Sequence, residues 1–217
     1  MRRIIVIAVL ACLGLAGCSP AEPGPGTPSA PASSPSPTPS LPTVAPPPES
    51  PAGSPGSTTV PSPATSVPPV AGALDVSGHD LVEFASPSGR IWCGMRSDFA
   101  VCQLPAGYTG TVPDSEKVCP GMELDVTGIT VDAKGTGWIC TGDPVAMPVK
   151  GEPQVAWHTK TGYGFVTHSG FQVAVLPYGK TLRHGGYVCR SDQTGVVCGN
   201  TRTGHGFNVA RAGIAQF

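Results

Sequence analysis

The chain has 217 residues, 13 Lys and Arg against 14 Asp and Glu, and a formal charge of −1. Charged residues make up only 12% of it and form neither a basic stripe nor an acidic block, which argues against nucleic acid and strongly cationic partners. The 26 prolines, 29 glycines and eight cysteines point to an extended segment joined to a small disulfide-bearing domain.

Arg2 and Arg3 open the chain, Ile4 to Leu15 is an apolar run, and Leu15-Ala16-Gly17-Cys18 ends it. This is the layout of a secretory signal, too short for a permanent transmembrane helix. It resembles the bacterial lipobox, which implies cleavage after residue 17 and a diacylglyceryl group on Cys18. Cys12 falls in the part that is removed. With Cys18 assigned to lipid, six cysteines remain, an even number suited to an oxidising compartment. The expected location is therefore extracytoplasmic, on the outer face of the cell membrane, with the membrane itself as one partner.

From residue 18 to 72 the chain is mostly Pro, Ser, Thr, Ala and Gly, with Glu22 and Glu49 as its charges and no aromatic residue. Such a stretch has little apolar surface to offset its ordering entropy, so an extended, disordered linker is expected. The composition changes at about Ala73. From there to Phe217, eleven Lys and Arg stand against twelve Asp and Glu, over a length typical of one domain.

That domain reads as all-β. Strands are expected at Val82–Phe84, Arg90–Cys93, Ala100–Cys102, Glu123–Val126, Ile129–Val131 and Trp138–Cys140. Further strands are expected at Gln154–Trp157, Gly164–Thr167, Phe171–Leu176, Tyr187–Cys189, Val196–Cys198 and Gly206–Val209. Turn clusters such as Asp132-Ala133-Lys134-Gly135 and Ser169-Gly170 separate them. Many short strands at regular spacing indicate a sandwich or barrel. The last segment, Ala210 to Gln216, is the one place where a short helix is expected.

Six cysteines allow fifteen pairings. Cys93 and Cys102 flank Ser97-Asp98 as two hairpin strands would, and Cys189 and Cys198 repeat the same offset around Gln193-Thr194. Cys119 and Cys140 remain and bracket a further hairpin. The spacing thus predicts Cys93–Cys102, Cys119–Cys140 and Cys189–Cys198. The equal offsets also suggest an internal duplication, with Gly89–Cys93 matching Gly185–Cys189 and Ala100–Cys102 matching Val196–Cys198. No C-x-x-C is present to suggest a thiolate zinc site.

Catalytic signatures are missing from the sequence. Gly-x-Ser-x-Gly, H-E-x-x-H and calcium-loop patterns do not occur, and Gly179-Lys180-Thr181 lacks the first glycine of a phosphate loop. Paired cysteines cannot serve as nucleophiles. His158, His168, His184 and His205 lie on or beside four expected strands and could converge on a metal or general-base site. Trp92, Trp138 and Trp157 read as core. Tyr178 and Lys180 sit in an expected loop, and His205 lies between two glycines near Asn200.

Phe84-x-Ser86-Pro87-Ser88-Gly89-x-Ile91-x-Cys93, Cys140-x-Gly142-Asp143 and Leu176-Pro177-Tyr178-Gly179 stand in order along the domain. Cys189-x-Ser191-x-x-x-Gly195-Val196-x-Cys198-x-Asn200 and Gly204-His205-Gly206-Phe207, with Arg211 and Phe217, complete the series. This set resembles a domain of unknown function found in actinobacterial secreted proteins and lipoproteins. That family usually has Asn where Arg90 stands and Ser where Ala210 stands. The resemblance implies an envelope setting and no particular activity or cofactor. The expected function is a non-catalytic binding module for an envelope glycan, a lipid or another exported protein. Tyr178, Lys180, Asn200 and His205 are its surface candidates. The alternative is an extracytoplasmic hydrolase or metal-binding protein that uses the four histidines.

Overall fold

The computed structural model describes residues 64–217. The expected signal, Cys18 and most of the proline-rich stretch lie outside them. In chain order the first strands are β1 (Leu74–Asp75), β2 (Val82–Ala85), β3 (Trp92–Met95), β4 (Phe99–Gln103), β5 (Val126–Asp132) and β6 (Thr136–Cys140). A helical turn, α1 (Ser115–Val118), precedes β5, and a 3-10 helix (Pro153–Lys160) follows β6. Next come β7 (Phe165–His168), β8 (Phe171–Ala174), β9 (Thr181–His184) and β10 (Tyr187–Asp192). The series ends with β11 (Gly195–Asn200), β12 (Gly206–Ala210) and β13 (Gly213–Gln216).

Two antiparallel meanders face each other. One runs β2-β3-β4-β5-β6 and the other β9-β10-β11-β12-β13, with β1 added in parallel at the β9 edge. Each strand pairs with its chain neighbour, so both sheets keep sequence order; the connections are short except between β4 and β5, where residues 104–125 carry α1. A single row of side chains crosses each sheet. In the first it reads Phe84, Cys93, Cys102, Ile129 and Trp138. In the second it reads Leu182, Cys189, Cys198, Phe207 and Gln216. The next inward row is Val82, Met95, Ala100 and Val131 in one sheet, and Ser191, Val196 and Val209 in the other. Apart from Gln216 and Ser191 these residues meet in one core, to which Trp157 and Tyr187 also belong and against which Trp138 packs. The matched rows give the two halves the same strand order and the same staple position.

All three expected disulfides form. Cys93–Cys102 and Cys189–Cys198 join strands two and three of their meanders, with Cα separations of 4.0 and 4.1 Å. Directly opposed residues of an antiparallel pair come close enough for such a bridge where no ladder hydrogen bond intervenes. Cys119–Cys140 ties α1 to the end of β6.

Several expectations need correction. Gln154–Trp157 is not a strand but part of the 3-10 helix, which Pro153 opens with its fixed φ. Trp157 turns inward there and its Nε1–H donates to the Glu83 carbonyl at 3.0 Å. Ala210–Gln216 is not a helix: β13 pairs with β12, and Phe217 exchanges two backbone hydrogen bonds with Gly206. Of Glu123–Val126 only Val126 joins a strand. Strands β1 and β9 were not expected. Ahead of Ala73, Pro68 is buried and the Val67 methyls lie against Gly199 on the outer face of the second sheet.

Candidate functional site

At one end of the two sheets, two Pro-x-Gly turns lie side by side. The first, Ser86-Pro87-Ser88-Gly89, closes β2 onto β3. Its Gly89 N–H donates to the Ser86 carbonyl at 2.8 Å, and the Ser86 hydroxyl accepts the Ile91 N–H at 3.3 Å. Ser86 is thereby buried, while Ser88 and Arg90 face outward. The second turn is Pro177-Tyr178-Gly179-Lys180. Lys180 N–H donates to the Pro177 carbonyl at 3.0 Å, with Gly179 at φ 77° in the third position, where a side chain would be strained. A parallel bridge between Ala85 and Val175, and the Leu176 N–H on the Ala85 carbonyl at 2.9 Å, hold the turns together.

The other walls are the β10–β11 turn, with Gln193 and Thr194, and the β12–β13 turn, with Arg211. Loop residues 105–109 join two of these walls. Ala106 N–H donates to the Arg90 carbonyl at 3.2 Å, and Thr109 N–H to the Arg211 carbonyl at 2.9 Å. Those two donors are only three residues apart, within roughly 11 Å of chain reach of each other, so the backbones of both arginines are tied to one short loop. The enclosed cleft is about 330 Å³.

Its electrostatics follow from what is paired. Arg90 and Arg211 are exposed and take part in no ion pair among the described residues. Asp192 lines the same cleft, but Arg190 Nε holds its Oδ1 at 3.0 Å. Lys180 adds a further exposed cation on the Tyr178 turn. Hydroxyls of Ser88 and Thr194 and the Gln193 amide complete a polar lining beside the Tyr178 ring, which is 43% exposed. The arrangement can hold an anion and orient polar groups around it. Nothing in it pairs a nucleophile with a base.

Tyr178 therefore lines this cleft, and Lys180 stands next to it on the same turn without lining it. Asn200 and His205 lie away from it, since β11 starts at the cleft, Asn200 ends that strand and His205 lies on the turn after it. Asn200 was expected at the surface and is instead fully buried. Its Nδ2 donates to the Asp132 carbonyl at 3.3 Å and its Oδ1 accepts the Arg202 N–H at 2.9 Å, so the side chain is used up in joining two turns. His205 is exposed on the β11–β12 turn, near Gly135. Sequence reasoning missed Ser88, Arg90, Gln193, Thr194 and Arg211 as one group. The available signal was that two Pro-x-Gly turns are each followed by a cation.

The histidines have separate surroundings. His168 stands edge-on to Trp92 at 6.0 Å, and His184 Nε2 bonds to the His79 carbonyl. His158 is a buried residue of the 3-10 helix, its ring 4.5 Å from Phe165, and Nε2–H donates to the Gly164 carbonyl at 3.0 Å. Burial lowers its pKa, against the opposing effect of backbone hydrogen bonds to Gly164 and Val175. Among the described residues, the group of three His, Cys, Asp or Glu side chains whose ligating atoms converge is Cys93, Cys102 and Cys198. All three sulfurs are in disulfides. A second hollow of about 530 Å³ beside His158 has mainly apolar walls, from Val155, Tyr163 and Phe165, with Lys150 Nζ 5.1 Å from the Phe165 ring centre.

No family model, no curated protein and no solved structure matches this chain.

Proposed function

We propose that this is a lipid-anchored cell-envelope protein whose stapled β domain is a non-catalytic binding module, with the cleft between the two Pro-x-Gly turns as its recognition surface. The observation that carries the reading is the meeting of Arg90, Arg211, Tyr178 and Ser88 in that one cleft. Polar and aromatic groups that serve no core, presented on loops by a rigid scaffold, are the usual make-up of a binding site. The motif at Leu15–Cys18 and the three disulfides support an extracytoplasmic setting. A long proline-rich segment between anchor and domain suits a module that must reach a partner away from the membrane.

The test is co-sedimentation of the protein with isolated envelope material. The wild type and His205→Ala, altered at the far end, should pellet together with it. Tyr178→Ala and Arg211→Ala should remain largely in the supernatant. Equal pelleting of all four proteins would refute the assignment of the cleft.

A further inference from the structure

Building on the cleft reading above, we infer that the ligand is an anionic carbohydrate. A carboxylate or phosphate group sits between Arg90 and Arg211, and a sugar ring lies against Tyr178. Two arginines lining one cleft, neither neutralised by a carboxylate among the described residues, are matched by a planar or tetrahedral oxyanion that can accept several N–H bonds at once. Asp192 does not cancel them, because Arg190 already holds it.

Size and lining exclude a bare ion as the whole ligand. A cleft of about 330 Å³ lies at the small end of ligand-sized pockets and greatly exceeds one phosphate or carboxylate. The remaining walls carry hydroxyls at Ser88 and Thr194 and an amide at Gln193, which both donate and accept. Sugar hydroxyls need such partners. An acyl chain would leave them unpaired and desolvated, at a cost for each group. The half-exposed Tyr178 ring supplies the flat apolar face that the C–H side of a pyranose can cover.

Uronic acids and sugar phosphates share this chemistry, so both are tested on the full-length protein by calorimetry. The probes are tetragalacturonate, mannose 6-phosphate, neutral maltotetraose and inorganic phosphate. The expected result is binding of at least one anionic sugar, weakened by salt, with maltotetraose and inorganic phosphate each about tenfold weaker or undetected. Arg90→Gln and Arg211→Gln should each lower affinity about tenfold, and Tyr178→Ala should lower it with little change in the salt dependence. These side chains are outside the core, so unchanged melting curves will show that each variant is folded. Uronate binding alone or phosphosugar binding alone identifies the source of the anion. Equal binding of maltotetraose, or no binding of either anionic sugar, overturns the inference. If envelope material still pellets the wild type but not Arg211→Ala, only the ligand class is wrong. If it pellets both, the cleft reading has failed as well.

Discussion

Cys102 Sγ lies 3.9 Å from Cys198 Sγ, so the staple of one meander touches the staple of the other in the middle of the core. Both cysteines are fully buried and occupy the same place in their matched side-chain rows. The two halves of the domain therefore dock through their disulfides as well as through Phe84, Ile129, Leu182 and Phe207.

Loss of either staple should cost about 2–4 kcal/mol in the chain-entropy model. Because the sulfurs pack against each other, the two losses should not add. Denaturant unfolding of Cys93→Ala/Cys102→Ala, of Cys189→Ala/Cys198→Ala and of the fourfold variant closes the cycle. The coupling is expected to exceed about 0.5 kcal/mol. Additive losses would mean that the two bonds act only within their own hairpins.

Gly206 is needed because of what approaches it. A Cβ there would stand 2.5 Å from the Cys198 carbonyl oxygen and 2.6 Å from the Phe217 ring. Gly206→Ala should cost about 1–3 kcal/mol in thermal or denaturant melts. Gly78→Ala, where no atom stands within 4 Å of the added Cβ, should stay within about 0.5 kcal/mol of wild type. Similar losses in the two variants would contradict the packing account of the β12–Phe217 closure.

Glu83 is buried on β2, and its carboxylate accepts the Met147 N–H at 3.0 Å. Burial raises its pKa; the Met147 bond opposes the shift and the Glu152 charge adds to it. The folded chain holds this proton at pH values where the unfolded chain has released it. Its contribution is therefore present at low pH and lost as pH rises from the ordinary carboxyl range through the raised folded value. Glu83→Gln keeps an acceptor for Met147 and removes the titration. The variant should melt higher than wild type at pH 7, with the gap closing near pH 4. His158 works in the opposite sense: its lowered pKa gives stability that is lost as pH falls below its ordinary value. A gap between Glu83→Gln and wild type that does not change with pH would refute the assignment to Glu83.

The anchoring proposal makes its own prediction. Cys18→Ala removes the acceptor for lipid, and the protein should move from the membrane fraction to the soluble envelope fraction or the medium. Unchanged recovery in membranes would rule out Cys18 as the anchor.

The staples were legible because a nine-residue offset around two turn residues fixes both the hairpin and the opposed cysteines. The matching strand order and staple position of the two halves were legible for the same reason. Gln154–Trp157 was misread because its short apolar run looks like a strand, whereas Pro153 and the inward pull on Trp157 wind it into a 3-10 helix. Asn200 looked like a surface candidate, but its side chain bonds to the Asp132 carbonyl and the Arg202 N–H, a relation between two turns that no local pattern carries. The cleft was half visible. The Tyr178 turn stood out in the sequence, but Arg90 and Arg211 come together only through the Pro105–Thr109 loop, which bonds to both backbones.

The most direct test of the cleft as the recognition surface is a titration followed by nitrogen-edited magnetic resonance of the arginine side chains. Envelope glycan is added to the isotope-labelled protein, and each Nε–H signal is tracked. The account predicts that Arg90 and Arg211 shift along one saturation curve. Arg96, Arg183 and Arg202, which lie outside the cleft, should stay in place. Shifts confined to Arg202 and the neighbouring His205 turn, or equal shifts at all five arginines, would contradict it.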